Sequence, residues 1–119
     1  MPARSELVAT VRRGLDETEA EYATIPFPIR LLVRRGFAKR TGHDFKAWHA
    51  LLEQAAGGTI PPGLPSALGA LAEHYRGSPE RARRGMPGAA NDPRFRELEE
   101  RARLRAAAAE ALQAALRDR

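Results

Sequence analysis

The sequence predicts an all-α fold: a small bundle of four to six helices with a long C-terminal helix. Three observations carry that expectation. Apolar residues recur three and four positions apart through most of the chain, as in Leu7, Val11 and Leu15, or Leu68, Leu71 and Tyr75; that spacing places them on one helical face. Nowhere do apolar and polar residues alternate with period two between hairpin turns, as a half-buried strand requires. Proline and glycine fall in clusters that punctuate the periodic segments, at Pro26 and Pro28, at Gly57 and Gly58, at Pro61 to Pro65 and at Gly85 to Gly88.

Taken in order, the first helix is expected to start with Ser5 as its N-cap and to bury Leu7, Val8, Val11 and Leu15. Gly14 weakens its middle. Ile25-Pro26-Phe27-Pro28 ends it, because residues before proline are held extended. Pro28 suits the first turn of a second helix, where its missing N–H costs nothing, and Ile29, Leu32, Val33 and Phe37 form the expected apolar face. Gly42 falls where a left-handed C-cap is wanted. Asp44 then caps a third helix with Phe45, Trp48, Leu51, Leu52 and Ala55 inward, and Trp48 is expected at the centre of the core. After a loop from Thr59 to Pro65, a fourth helix is expected to reach about Arg76 and close at Gly77, with Ser78-Pro79-Glu80 restarting a short turn of helix. Asp92-Pro93 opens the last and longest helix. Its seam of Phe95, Leu98, Ala102, Ala109, Leu112 and Leu116, interrupted by Arg105, has coiled-coil-like spacing. The expected organisation is a bundle over residues 1–85, a linker over 86–92 and an amphipathic helix over 93–119, within a single domain.

At 119 residues the chain can bury a core large enough to fold unaided. It has no cysteine, which excludes disulfides, thiolate ligands and a thiol nucleophile and suits a reducing compartment. No apolar run approaches membrane-spanning length and the N-terminus carries no signal-like apolar region. The expectation is a cytoplasmic protein with no membrane partner. Arginine far outnumbers lysine, and alanine, glycine and proline are abundant, as in proteins of high-GC bacterial genomes.

The formal net charge is +5, and its distribution is uneven. Residues 25–46 carry six basic groups and one acidic group, so this one segment has the charge of the whole chain. Clustered cations attract polyanions; the alternative is a solvated face. Catalytic and metal-binding constellations are not apparent. His43 and His49 are six residues apart and His74 stands alone, which leaves no same-face histidine pair, so each is expected in a turn or at the surface. The serines at 5, 66 and 78 lie in no nucleophile elbow. No cofactor, metal or catalytic residue is assigned, and the expectation leans away from an enzyme. A ligand-binding reading would need a pocket, for instance one lined by Trp48 and Tyr75 with a convergent arginine.

One segment carries a motif. From Phe37 to Leu52, Ala38, Gly42, Trp48 and Leu51 occupy the small, turning and apolar positions of two helices meeting at a tight turn. The segment resembles the helix-turn-helix of bacterial repressors, whose second helix enters the major groove. The resemblance implies base contacts from Asp44, Lys46 and His49 and phosphate contacts from Arg34, Arg35, Lys39 and Arg40. A plain antiparallel helical hairpin is the alternative. Lys39 to Trp48 also resembles the K-x-T-G-x-x-x-x-x-W/F segment of small bacterial helical domains without assigned function. Ile25-Pro26-Phe27-Pro28-Ile29-Arg30 is similar to the entry of the small C-terminal helical domain of light-independent protochlorophyllide reductase, a match too short to imply its chemistry. Two partner classes follow: nucleic acid at the basic helical segment, or a second copy or partner protein at the seam of the C-terminal helix.

Overall fold

Five helices are formed by the described residues: α1 (Arg4–Ala23), α2 (Phe27–Thr41), α3 (Phe45–Ala56), α4 (Leu64–Gly85) and α5 (Pro93–Arg117). The structure is a computed structural model that describes residues 3–85, 88 and 91–117, and no strand occurs among them. The expected linker over 86–92 lies mostly outside the described residues. No helix among those described is long and apolar enough to cross a membrane.

α1 is the hub. It packs against α2, α3 and α5, while α4 packs against α5 along its length and against α2. The core is built from Val8, Val11 and Leu15 of α1, Phe37 of α2, the Phe45–Trp48–Leu52–Ala55 face of α3, and apolar faces of α4 and α5. Trp48 is fully buried, as its position among those residues predicts. Its indole N–H donates to Thr41 Oγ1 at 2.9 Å, so the one polar atom of this ring is satisfied inside the core. Gly42 adopts φ +84°, the left-handed cap expected of it, and Asp44 accepts from the backbone N–H of Ala47 at 2.8 Å to start α3.

Four expectations are corrected. Ser5 is not a cap; α1 begins at Arg4 after Ala3, with no side-chain cap bond. α4 does not stop at Gly77 but runs through Pro79 to Gly85. Proline inside a helix removes a donor and crowds the preceding turn. Here Ser78 Oγ and Arg81 Nη2 both donate to the carbonyl of His74, at 3.1 and 2.6 Å, and hold that turn together. The apolar face expected on α2 is covered only at its C-terminal end: Phe37 is buried, but Ile29 and Leu32 are 55% and 65% exposed. Phe27 and Leu31 are exposed as well, so the first half of α2 stands off the bundle. Finally, His74 is not a surface residue; it is 2% exposed.

The seam of α5 is satisfied within the chain. Phe95, Ala102, Ala109, Leu112 and Leu116 are buried and Leu98 is half-buried, with α4 and α1 as the packing partners. Small residues bring the helices close: a Cβ added at Gly69 of α4 would lie 2.8 Å from Gln113 Nε2, which donates to the carbonyl of Pro65 at 2.8 Å. Arg105, which interrupts the seam, lays its aliphatic stem over Gly14 of α1. Its guanidinium grips Glu21 with two bonds, at 3.1 and 2.7 Å.

Candidate functional site

Where α2 stands away from the bundle, a cleft of about 580 Å3 opens between it, the C-terminal end of α1, the second half of α4 and the first half of α5. Its walls differ. Ile25, Leu32, Val33, Ala82, Leu98 and Ala102 make one part aliphatic. Tyr22, Arg40, His74 and Arg81 make the other polar. The polar part rests on an aromatic floor, in which Phe37 stacks on Phe45 with centroids 4.2 Å apart and meets the His74 ring edge-on at 4.9 Å.

His74 organises the polar wall. Arg40 Nε donates to its Nδ1 at 3.1 Å, and Arg81 Nη2 lies 3.2 Å from the same atom. Arginine has no acceptor, so Nδ1 must accept and the neutral ring carries its proton on Nε2. That proton faces the Tyr22 hydroxyl oxygen at 3.4 Å. The Tyr22 O–H is thereby left free to donate into the cleft. Burial, then the charges of Arg81 and Arg40, push the His74 pKa down to about 3, so the ring is uncharged at neutral pH. Burial raises the Tyr22 pKa and keeps its proton in place. Tyr75, next to His74, bonds Thr18 across the cleft base at 3.1 Å, and burial raises its pKa to about 12.

The two arginines are a like-charged pair. Neither has a carboxylate within ion-pairing distance among the described residues, and burial followed by the charge of Arg40 lowers the pKa of Arg81. Three arginines and one carboxylate line the cleft, and that carboxylate, Glu21, is taken by Arg105. Two positive charges therefore remain beside a wall that offers them no carboxylate. Both arginines reach this wall over glycine. A Cβ at Gly36 would lie 3.1 Å from the Arg40 guanidinium, and one at Gly77 would lie 2.6 Å from Arg81 Nη1. Each glycine precedes its arginine by four residues, one helical turn, and each sits mid-helix, where glycine costs about 1 kcal/mol relative to alanine.

The cations of the helix-turn-helix-like segment go three ways. Arg34 turns to Glu19 at 3.5 Å and lies over the Phe45 ring at 5.3 Å. Arg40, itself exposed, reaches the cleft through its bond to His74. Arg35, Lys39 and Lys46 stay exposed, without a carboxylate partner among the described residues. Of the residues implied as base readers, Asp44 is used as the α3 cap, and His49 is half-buried, 3.3 Å from Asp16 and 3.5 Å from Glu19. These last three form a carboxylate–histidine cluster that sequence spacing does not reveal, with ligand-type atoms within 4.8 Å of one another. Arg34 shares Glu19, so the cluster reads as an ordinary ion-pair network.

Sequence reasoning missed Tyr22, His74 and Arg81 as site residues, because their proximity depends on how three helices cross. One local signal was available: glycine four residues before arginine, at 36–40 and again at 77–81. Comparison with known protein families, with curated proteins and with solved structures finds no match to this chain.

Proposed function

We propose that this chain is a small non-enzymatic binding protein that holds an anionic ligand in the α1–α2–α4–α5 cleft. One observation carries the reading: Arg40 and Arg81, with no carboxylate partner among the described residues, converge on Nδ1 of an uncharged histidine. Bringing two guanidinium charges together at a partly buried wall is unfavourable until an anion arrives. The bound anion would accept charge-assisted hydrogen bonds from both arginines, with the Tyr22 hydroxyl as a third donor. Burial and then the charges of Arg81 and Arg40 hold His74 neutral, and burial keeps Tyr22 protonated, so the wall presents donors to an anion at neutral pH. Isothermal titration with inorganic phosphate and simple carboxylates tests the reading. Binding that falls at least tenfold in both Arg40→Gln and Arg81→Gln supports it, and affinity unchanged in both variants refutes it.

A second reading rests on Arg35, Lys39 and Lys46, which are exposed on α2 and α3. They keep the proposal of nucleic-acid contact at the helix-turn-helix-like segment open to test. Three phosphate contacts imply a log–log salt slope of roughly −2.7, at about −0.9 per phosphate. Fluorescence anisotropy with duplex DNA that shows no binding at low salt removes this reading. The C-terminal seam is covered within the chain, so no partner is proposed there.

A further inference from the structure

The cleft has an aliphatic wall as well as a cationic one, and the two are continuous. Leu32 lines the cleft yet is 65% exposed at its lip, and Ile29, one turn earlier on α2, is 55% exposed. Exposed large apolar side chains that continue a pocket wall mark a surface that another apolar group covers. The other aliphatic residues that line the cleft are Ile25, Val33, Ala82, Leu98 and Ala102. The cleft volume of about 580 Å3 lies within the range of small-molecule sites.

From this geometry we infer that the ligand is a single-chain amphiphile: an anionic head, carboxylate or phosphate, on an unbranched aliphatic tail. The inference rests on the anion-binding reading above and extends it to the other end of the ligand. The head sits at Arg40, Arg81 and the Tyr22 hydroxyl. The tail lies between Leu32 and Val33 on one side and Leu98 on the other, and leaves the cleft along Leu32 and Ile29. Charge complementarity fixes the orientation: the two uncompensated guanidinium groups are at the inner wall on His74, and the exposed apolar residues are at the lip. A head turned outward would leave both charges without a partner.

The test is calorimetric titration of the full chain with butyrate, decanoate, decyl phosphate and decyltrimethylammonium, below their micelle concentrations. Decanoate should bind at least about tenfold more tightly than butyrate, a ratio that burial of about two methylene groups supplies. Decyl phosphate against decanoate tells which head is preferred. Leu32→Asn, at an exposed position, should erase the chain-length ratio. Gly36→Ala and Gly77→Ala, which favour the helix but push the guanidinium groups away, should weaken decanoate at least tenfold. Equal affinity for butyrate and decanoate overturns the amphiphile inference and leaves the anion reading standing. Equal affinity for decanoate and decyltrimethylammonium, unmoved by Arg81→Gln, overturns both. Binding only to anionic vesicles, lost in Phe27→Ser and Leu31→Ser but not in Arg40→Gln, replaces the cleft by a membrane-surface role for α2.

Discussion

Acid should destabilise this protein through His74, starting well above the range in which carboxylates titrate. The ring is 2% exposed and its acceptor nitrogen faces two guanidinium donors, and the folded pKa is held down at about 3. In the unfolded chain the same ring titrates near 6.5. Between those values the unfolded state binds a proton that the folded state refuses. Stability therefore falls as pH falls from about 6.5 toward 3, and the histidine contributes no slope above that window. The limiting slope is about 1.4 kcal/mol per pH unit, and integration from pH 7 to pH 5 gives a loss of about 2 kcal/mol. Urea unfolding of wild type and His74→Gln at the two pH values isolates this contribution, because His43 and His49 are common to both proteins and the glutamine oxygen can still accept from arginine. The variant should lose about 2 kcal/mol less than wild type over that interval. Parallel pH dependence in the two proteins would refute the reasoning, since it would mean that His74 takes up its proton in the folded state and the arginines do not hold it neutral. A bound anion should flatten the wild-type slope by offsetting both guanidinium charges.

Three further outcomes follow from the packing. Thr41→Val should cost about 1–3 kcal/mol in chemical denaturation, because it leaves the buried Trp48 N–H without its acceptor; in a Trp48→Phe background the same change should cost clearly less. Glu21→Gln should cost about 1–2 kcal/mol in the same assay, since it weakens the double bond to the nearly buried Arg105 side chain while Glu21 itself remains partly solvated. Truncation before Pro93 should abolish cooperative thermal unfolding, because α5 supplies Ala106, Ala109, Leu112 and Leu116 to the core; a soluble truncated chain with an intact melting transition would show that the seam belongs to another molecule.

How far the fold could be read from the residues depended on how many faces each helix buries. α3 has one dense apolar stripe, Phe45, Trp48, Leu52 and Ala55, and a cap at Asp44, and both behave as their spacing dictates. α2 carries apolar residues around much of its first two turns, and periodicity alone cannot tell which of them a neighbour will cover. Phe37 went inward and Ile29 and Leu32 did not; Phe37 and Arg40, in the later turns of α2, are the residues that meet His74 of α4. α4 misled for a different reason. Gly77 and Pro79 are local stop signals, yet Tyr75 before them and Ala82 after them face the same neighbours, and side-chain bonds to the His74 carbonyl bridge the weakened turn. Tertiary packing overrode a local preference worth only a few kcal/mol. The cleft was illegible because it is a consequence of that continuity: had α4 ended at Gly77, Arg81 would not lie one turn beyond it and two turns beyond His74.

The distribution of arginine across the molecule bears on why such a cleft would be retained. Elsewhere several arginines pair with nearby glutamates on the surface, as Arg76 does with Glu73, Arg83 with Glu80 and Arg103 with Glu100, each three residues apart on one helix, and others, such as Arg35, stand exposed without a carboxylate partner among the described residues. Pairs of that kind contribute little and constrain nothing. Arg40 and Arg81 depart from the pattern. Each is laid across a mid-helix glycine that alanine would improve, each points toward a like charge, and one crosses a turn that proline weakens. Arg105 shows how the same fold seats an arginine when only stability is at issue: over Gly14, but with Glu21 and Glu17 in reach. The unfavourable choices thus collect at a single cleft and are relieved by the same event, arrival of a negative charge between Arg40 and Arg81. Local rules broken together in one place, with a common remedy, are what separates a binding site from accumulated imperfection.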